Sequence, residues 1–250
     1  MHLGAEGGAR HRLESAAARI EQGSATGTIA IAADSPFAVD AHVDAQSNAT
    51  GAGTGIAFGA TVLARGPLDA LSVTAAARVP ATATHGAQSL DARAVVKPFA
   101  AWPLGELQAR ADALDLSAFS TAAPATSLTG RAVATTSGSD VPASVTLDVK
   151  NARAGRWNEG LLPVLQARAE LRARPDDPGT LDVQTLEATL GSSQLAGGKI
   201  AARGRWTPVA WNVDAELAKV RPDALDARAP ATSLDGTLAL RGSGFGGAAA

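Results

Sequence analysis

The sequence contains no cysteine and no tyrosine, and only 4% of its 250 residues are aromatic. The absence of cysteine excludes disulfides, thiolate metal sites and cysteine nucleophiles. Because aromatic residues are so few, a close-packed core has to be made from Ala, Val, Leu and Ile. The sequence also does not supply the aromatic girdles of strands that cross an outer membrane.

The sequence also lacks a large excess of charge of either sign and lacks long apolar runs. Charged residues make up 18% of the chain and the formal net charge is −2, so the sequence lacks the concentrated basic face of nucleic-acid-binding proteins. No stretch approaches the roughly 18 consecutive apolar residues of a membrane-spanning helix. Hydrophobic residues nevertheless reach 46%, which argues against a disordered polymer. We expect a folded chain that does not bind nucleic acid.

The two ends of the sequence indicate an internal piece of a longer protein. Residues 1–8 have no charged segment followed by an apolar core, and therefore do not form a signal peptide. Residues 237–244 break off just after the pattern of a new strand begins. We expect the targeting signals to lie elsewhere in the parent protein.

What the sequence has in abundance is alternation of apolar and polar residues, which indicates strands with one apolar and one polar face. Phe37–Ala45 places Val39 and Val43 on one face and Asp40 and His42 on the other. We predict about a dozen strands of roughly 5–9 residues. The other alternating runs are Ile56–Val62, Leu71–Val79, Leu90–Lys97, Leu107–Ala113, Val145–Lys150, Leu165–Arg174, Leu181–Leu190, Lys199–Trp206 and Trp211–Leu217.

The joints between these runs carry Gly, Pro, Asn and Asp, which supply the dihedral angles that turns need. Asp176–Gly179 and Asn158–Gly160 are the clearest predicted turns, and Trp206–Trp211 predicts a hairpin with a short proline loop. The alternation changes phase between Gln184 and Thr185. A β-bulge at this point would keep the apolar residues on one face.

Helix is predicted only in short segments. The best candidates are turns at Leu116–Phe119 and Pro222–Leu225. Leu13–Ile20 fits a helix and a strand about equally well.

One stretch of sequence is written twice. Pro124–Gly130 (PATSLTG) returns as Pro230–Gly236 (PATSLDG), 106 residues later (230 minus 124), and Ser24–Gly27 is a looser copy. We interpret the stretch as a joint, in which a turn ends one β unit and Leu128 or Leu234 starts the next. This predicts one continuous β-repeat segment with approximate units 1–123, 124–229 and a truncated 230–250.

The converging polar groups that an enzyme needs are few. The chain has four His, of which His42 lies on the polar side of its strand, where a solvated imidazole is the simplest interpretation. Nucleophile-elbow, zincin and phosphate-loop motifs do not occur. Gly51–Gly55 precedes a strand, which indicates a hairpin loop and not a dinucleotide site. Trp206 and Trp211 fit core or rim packing better than ligand contact. We predict no enzymatic activity, no catalytic residue, no metal and no cofactor.

We therefore predict an all-β fold, a repetitive and mostly antiparallel long curved sheet with very little helix. Its apolar face has to be covered, because exposed apolar patches on soluble monomers rarely exceed a few hundred Å². A second sheet, closure of the sheet on itself, or an apolar ligand held in a trough would each cover it. In the last case the sheet forms an elongated taco-like groove with an apolar interior.

The order of the motifs in the second half is specific enough to suggest a family. Gly204–Trp206, Trp211–Leu217, Pro222–Leu225 and Pro230–Gly236 follow one another, and the earlier stretch 107–130 is similar. This order resembles the TamB group of AsmA-like proteins, the translocation and assembly module members among the bridge-like lipid transport proteins of diderm bacteria.

The resemblance implies a long taco-shaped β groove that spans the periplasm and is anchored by a helix in the inner membrane. Family members conduct phospholipid to the outer membrane and support outer-membrane protein assembly with a partner of the TamA type. The present sequence lacks the anchor and the family's C-terminal domain. The implied partners are therefore phospholipid acyl chains, and the TamA-type protein only through other parts of the parent.

Two hypotheses follow. The first is a lipid-conducting trough. The alternative is a non-catalytic β-solenoid or sandwich repeat of a secreted adhesin, with a dry core filled by the chain's own side chains. In the lipid-conducting trough, the apolar strand positions line the groove. The expected lining residues are Ile29, Ile31, Phe37, Val39, Val43, Ile56, Phe58, Val62, Leu71, Val73, Leu90, Leu107, Val145, Leu147, Val149, Leu165, Leu171, Leu181, Val183, Leu186, Leu190, Ile200, Trp206, Trp211, Val213, Leu217, Leu238 and Leu240.

Overall fold

The computed structural model divides the chain into two compact units, Met1–Ala122 and Ala123–Ala250. Each unit is described by itself. The residues described are 2–6, 9–20, 23–47, 57–82, 85–100, 102–120, 122–136, 138, 141–174 and 177–243.

The described residues of the first unit form eight strands and one short helical turn. A 3₁₀ turn at Leu116–Ala118 follows the last strand. The strands are β1 (His2–Glu6), β2 (Arg10–Ile20), β3 (Gly23–Ala32), β4 (Val39–Ser47), β5 (Gly59–Gly66), β6 (Leu71–Val79), β7 (Gln88–Val96) and β8 (Leu104–Leu114).

In the second unit, the described residues form seven strands and two short helical turns. The turns are a 3₁₀ turn at Trp157–Glu159 and the one-turn helix α1 (Pro222–Leu225). The strands are β9 (Leu128–Thr135), β10 (Ala143–Asn151), β11 (Val164–Arg174), β12 (Asp177–Gly191), β13 (Ala196–Trp206), β14 (Ala210–Val220) and β15 (Leu234–Ser243).

Within each unit every strand pairs antiparallel with the next strand in the chain. No pairing between the first and last strands of a unit is found among the described residues. The predicted all-β class, with antiparallel sheet and very little helix, is confirmed. The described strands are more numerous than expected. They are also longer, and β12 alone has 15 residues.

The register of β12 keeps its apolar residues on one face despite the phase change in its sequence. Glu170 of β11 pairs with Thr185, whereas the adjacent Leu171 pairs with Val183, so Gln184 is an extra residue on β12. The same irregularity occurs in the pairing of β12 with β13. The predicted β-bulge is therefore confirmed.

The two strands that lead into the short turns before the repeated stretch share a backbone conformation near their ends. Ala113 and Lys219, 106 residues apart (219 minus 113), have positive φ values of 53° and 52°. In the turns that follow, Ala118 and Ala224 are buried to 3% and 1% exposure. The prediction that Leu128 and Leu234 begin strands is confirmed.

Several local predictions were wrong. Phe37 does not begin a strand, because it lies at φ 54° in a turn in which its N–H donates to the Asp34 carbonyl, and β4 begins at Val39. Of the predicted turn Asp176–Gly179, the part Asp177–Gly179 belongs to β12, where Asp177 pairs with Arg174, and Asp176 lies outside the described residues.

Three further predictions have other outcomes. Leu13–Ile20, which fitted helix and strand equally, is strand. Ser24–Gly27, the looser copy of the joint, lies inside β3. Gly51–Gly55 lies outside the described residues.

Candidate functional site

Cross-strand register assembles one apolar face in the first unit. Residues that pair directly across an antiparallel sheet project to the same face. Ile29 pairs with Ala41, which pairs with Ala64, and this row continues through Val73 and Ala94 to Leu107. The expected lining residues that register places on this face are Ile29, Ile31, Val39, Val43, Val62, Leu71, Val73, Leu90 and Leu107.

The second unit has an apolar face of the same kind, built from rows that cross all seven strands. One row consists of Ala132, Leu147, Ala169, Leu186, Ala202, Ala215 and Leu238. A second consists of Ala134, Val145, Leu171, Val183, Gly204, Val213 and Leu240. A third consists of Gly130, Val149, Ala167, Ala188, Ile200, Leu217 and Gly236.

The remaining expected lining residues of the second unit lie beside these rows. Leu181 pairs with Trp206, which pairs with Trp211. Leu190 pairs with Gly198 at the other end of β12. Leu165 is the extra residue at the irregularity of β11.

Three expected lining residues do not lie in strands that the structure describes. Phe37 lies in the turn before β4 and is 45% exposed. Phe58 precedes β5, where its carbonyl oxygen accepts a hydrogen bond from the Ser47 N–H at 3.0 Å. Ile56 lies outside the described residues.

Sequence reasoning also left out apolar residues that share these faces. Leu13 pairs with Ile29, Val96 pairs with Leu71, and Leu128 pairs with Asn151 at the end of the face. Alternation marked Val96 less clearly, because Val95 beside it is apolar too. Leu13 was missed because its run fitted a helix as well as a strand.

The apolar faces are only half covered. Leu90, Leu238 and Leu240 remain 41%, 42% and 45% exposed, whereas a leucine under a second packed layer would be fully buried. The buried hydrophobic residues among those described are few, and several are alanines: Val39, Val79, Ala118, Ala143, Ala169, Leu190, Val220 and Ala224. Within each unit, the described apolar face is therefore accessible from solvent.

Glycines on the apolar face bring neighbouring backbones together. A Cβ atom at Gly130 would collide with the carbonyl oxygen of Asp148, and one at Gly204 with the carbonyl oxygen of Asn212. Glycine inside a strand is typical of such close approach of two backbones. Because of these glycines and the many alanines, much of the face projects only a short distance from the backbone.

The opposite face of each sheet carries the charges. In the second unit Arg131 pairs with Asp148, which pairs with Arg168, which pairs with Glu187. Arg168 Nε lies 3.1 Å from Asp148 Oδ2. In the first unit, Arg78 Nη2 lies 2.6 Å from Asp91 Oδ1.

His42 also lies on this polar face. It is exposed, and its Nε2 is 3.2 Å from Asp44 Oδ2. These pairs are solvated, and each contributes little free energy, about 0–1 kcal/mol.

Trp206 and Trp211 form the rim of the apolar face in the second unit. They pair directly across the hairpin that was predicted, and the Thr207 N–H donates to the Ala210 carbonyl at 2.8 Å. A Cβ at Gly242 would meet the Trp211 ring at 2.5 Å, so the ring covers β15 at this point. This arrangement fits the predicted rim packing.

A polar cluster in the first unit joins residues that no sequence motif connects. Asp115 is buried, and its Oδ2 is 3.0 Å from His85 Nδ1. Its Oδ1 accepts hydrogen bonds from the N–H and the hydroxyl of Ser117. Because the Ser117 hydroxyl donates to Asp115 and not to His85, the cluster lacks the order of a nucleophilic triad. It caps the 3₁₀ turn.

In the second unit, Asn151 plays a similar structural part. Its Oδ1 accepts from the N–H groups of Ser127 at 3.0 Å and Arg153 at 3.1 Å, and its Nδ2 donates to the Leu162 carbonyl at 3.4 Å. The residue is 4% exposed. Its side-chain hydrogen bonds are thus used to fix the loops at this end of the sheet.

The second unit also has a shallow depression of about 600 Å³. Its lining combines residues of the first apolar row with charged residues of the opposite face: Leu186, Ala202, Ala215, Leu238, Glu187, Arg203, Asp214 and Glu216. This lining contains none of the aromatic side chains that are common in small-molecule pockets. The apolar faces are therefore the stronger candidates for a functional site.

Neither a metal centre nor a spanning helix is found in the described part of the chain. No group of three or more His, Asp or Glu side chains there is arranged to hold a metal ion. None of the described helices has the length and apolar character needed to cross a membrane. Comparison of the chain with known family models, curated proteins and solved structures gave no match to any of them.

Proposed function

We propose that the chain is a β segment of a lipid-conducting bridge protein and holds phospholipid acyl chains against its apolar face. The observation that carries the proposal is the set of continuous apolar rows across every described strand of the second unit, in which most side chains remain partly exposed. Such a surface is unfavourable in water and favourable against hydrocarbon. Each methylene group that leaves water contributes about 0.8 kcal/mol.

The dimensions and side chains of the face support an acyl chain as the occupant. Seven strands spaced about 4.8 Å apart give rows of roughly 29 Å. This exceeds the depth of one leaflet of the hydrocarbon core, which is about half of 30 Å. The rows combine Leu, Val and Ile with Ala and Gly, whose small size leaves room for a thin chain.

The cellular setting is part of the same proposal and rests on the order of motifs that resembles the TamB group. A segment of this kind would lie in the periplasm, within a parent protein anchored in the inner membrane. Phospholipid would move along the apolar face between the two membranes. An outer-membrane partner of the TamA type would bind other parts of the parent, and no catalytic residue or cofactor would be required.

The adhesin alternative requires a dry core within each repeat. The 41% exposure of Leu90, on a strand of the first unit that is paired on both sides, does not fit such a core. This exposure favours an apolar ligand over a structural repeat.

Photocrosslinking tests the proposal directly on the complete chain. A photoreactive residue is introduced at Val145 or Leu147 on the apolar face of β10, and at Thr146 or Lys150 on its polar face as matched controls. The purified chains are incubated with phosphatidylethanolamine vesicles, illuminated and analysed by mass spectrometry. Native mass spectrometry of the unmodified chain checks for phospholipid that co-purifies.

We expect lipid adducts from Val145 and Leu147 at least fivefold above those from Thr146 and Lys150. Equal labelling of the two faces would reject the apolar face as the lipid site. An absence of both adducts and co-purified phospholipid would overturn the proposed function.

A further inference from the structure

The outer edge of β15 has no partner strand in the part of the chain that the structure describes. β15 pairs with β14 through its other edge and is the last strand in the order of its unit. Its ten residues include neither proline nor lysine, two residues that commonly protect an edge strand from further pairing. The edge is therefore suited to accept another strand.

The repeat provides an equivalent edge that is occupied. β9 begins at Leu128 and β15 at Leu234, 106 residues later (234 minus 128), and each follows a copy of the same stretch. The two strands run in the same direction and place the same positions on the apolar face. Because strands follow chain order, the edge of β9 that carries β10 corresponds to the outer edge of β15.

Two equivalent glycines show the difference between these edges. A Cβ at Gly130 would collide with the Asp148 carbonyl oxygen and lie 2.9 Å from the Val149 Cα, both on β10. Gly236 has a φ of 142°, which Gly130 does not share, and a Cβ built there has no heavy atom within 4 Å. The space that β10 fills beside Gly130 is thus open beside Gly236.

The charges on β15 suit a strand with a cationic residue. Thr129 of β9 pairs with Lys150 of β10, and Asp235 holds the position of Thr129 on β15. The Oδ1 atom of Asp235 accepts a hydrogen bond from the Lys219 N–H at 2.9 Å. Its Oδ2 atom remains available for a cation directly opposite, and such opposite-charge pairs stabilise antiparallel sheets.

The apolar residues of β15 fit the same register. Leu238 and Leu240 hold the positions of Ala132 and Ala134, which pair with Leu147 and Val145 of β10. A strand with the pattern of β10 would therefore cover the two leucines, which are 42% and 45% exposed.

We propose that the outer edge of β15 binds an antiparallel β-strand of the β10 type. The partner strand carries apolar residues at alternate positions and a lysine or arginine opposite Asp235. Main-chain hydrogen bonds supply the affinity and the alternate side chains supply the register, as in other cases of strand addition. The addition would extend the apolar face by one strand, and it does not depend on lipid binding.

The test uses the complete chain and a fluorescein-labelled, end-capped peptide with the sequence of residues 143–151, ASVTLDVKN. Fluorescence anisotropy follows its binding, and hydrogen exchange locates the site. We expect saturable 1:1 binding and slower exchange of the β15 amides. The amides of β9, whose corresponding edge is occupied, should not change.

Two peptide variants test the register without altering the protein. The Lys150→Glu peptide should bind about fivefold more weakly, because a like-charge pair replaces an attractive one. The Leu147→Asp peptide should not bind measurably. In the Asp235→Asn chain, which keeps the oxygen that caps Lys219, the preference for the lysine peptide should fall to about twofold or less.

Three outcomes would overturn the proposal. The first is no saturable binding of the wild-type peptide. The second is equal affinity for the wild-type and Lys150→Glu peptides, which would mean that Asp235 does not face the partner. The third is dimerisation of the chain through β15 that excludes the peptide, which sedimentation at the titration concentrations would detect.

Discussion

The two faces of each sheet are made by the same strands and yet differ in almost every property. On β10, Val145, Leu147 and Val149 project to the apolar face, while the residues between them carry the charges of the other face. Charged side chains of the polar face form ion pairs with one another, such as Arg168 with Asp148. Among the described residues of its unit, the apolar face has no comparable partners. The acyl chains proposed above would cover it.

The separation of the faces depends on register, since a shift by one residue exchanges them. The β-bulge at Gln184 is the position where this dependence on register can be tested most directly. Deletion of Gln184 would turn Leu181 and Val183 to the polar face, at an expected cost of about 3 kcal/mol or more in unfolding free energy. Urea denaturation followed by tryptophan fluorescence reports the change, because Trp157, Trp206 and Trp211 lie in the second unit.

The matched control is Gln184→Ser, which keeps the number of residues and is expected to stay within about 0.5 kcal/mol of wild type. If the Gln184 deletion variant were as stable as this control, the bulge would not be what holds the apolar residues of β12 on one face.

A second prediction compares a glycine from each face. Gly130→Ala puts a methyl group against the Asp148 carbonyl, and we expect a loss of about 1–3 kcal/mol. Gly59 lies on the polar side of β5, where a Cβ would meet nothing within 4 Å. Gly59→Ala should be neutral or stabilise by up to about 1 kcal/mol, because it removes the conformational cost of glycine in a strand. Equal effects in urea denaturation would contradict the role assigned to Gly130.

A third prediction uses neighbouring residues of β11. Leu171→Ala removes a half-buried side chain that pairs with Val145 and Val183. We expect a cost of about 1–2 kcal/mol, below the range for fully buried leucines. Glu170→Ala, on the polar face beside it, should change stability by less than about 0.5 kcal/mol. A larger effect at Glu170 than at Leu171 would reverse the assignment of the faces.

The ion pairs of the polar face should matter still less. Arg168 and Asp148 are 62% and 33% exposed, and solvent screens their attraction. A double-mutant cycle with Arg168→Ala and Asp148→Ala should give a coupling energy of about 0.5 kcal/mol or less. A coupling energy above about 1 kcal/mol would show that the polar face contributes specific stability.

The smallest effect is expected at the exposed turn after α1. Hydrogen bonds from the Arg228 side chain, and then from its backbone N–H, lower the pKa of Asp226 from 3.8 to about 2. A carboxyl group with a lowered pKa in the folded state contributes stability above pH 3.8, and this contribution is lost as the pH falls towards 2.

NMR titration of the Asp226 carboxyl carbon tests this shift. The midpoint should lie near pH 2 in wild type and should rise in Arg228→Gln. A midpoint unaffected by the substitution would exclude Arg228 as the cause.

Much of the fold was predictable because side-chain polarity records the face of a strand directly. Leu71–Val79 was predicted to the residue, and the phase change at Gln184 predicted its bulge. The same alternation selected the lining residues that register later brought onto one face in each unit. Turns were harder, because Asp177–Gly179 has turn residues but lies within β12, where Asp177 pairs with Arg174 of β11.

Contacts between distant residues left no trace in the sequence. His85 and Asp115 are 30 positions apart, and neither stands in a motif that would connect them. The open edge at Gly236 was equally hidden, because Gly130 and Gly236 are alike in sequence and differ in their backbone conformation and in what lies beside them.

The chain-order pairing of the strands also has a consequence for folding. Each strand of a unit meets its partner through a single hairpin-like connection, so native contacts form between segments close in sequence. Low contact order of this kind favours rapid folding relative to sandwiches, whose strands must find distant partners. It also allows strands to be lost one at a time from an edge, as in repeat proteins with nearest-neighbour stability.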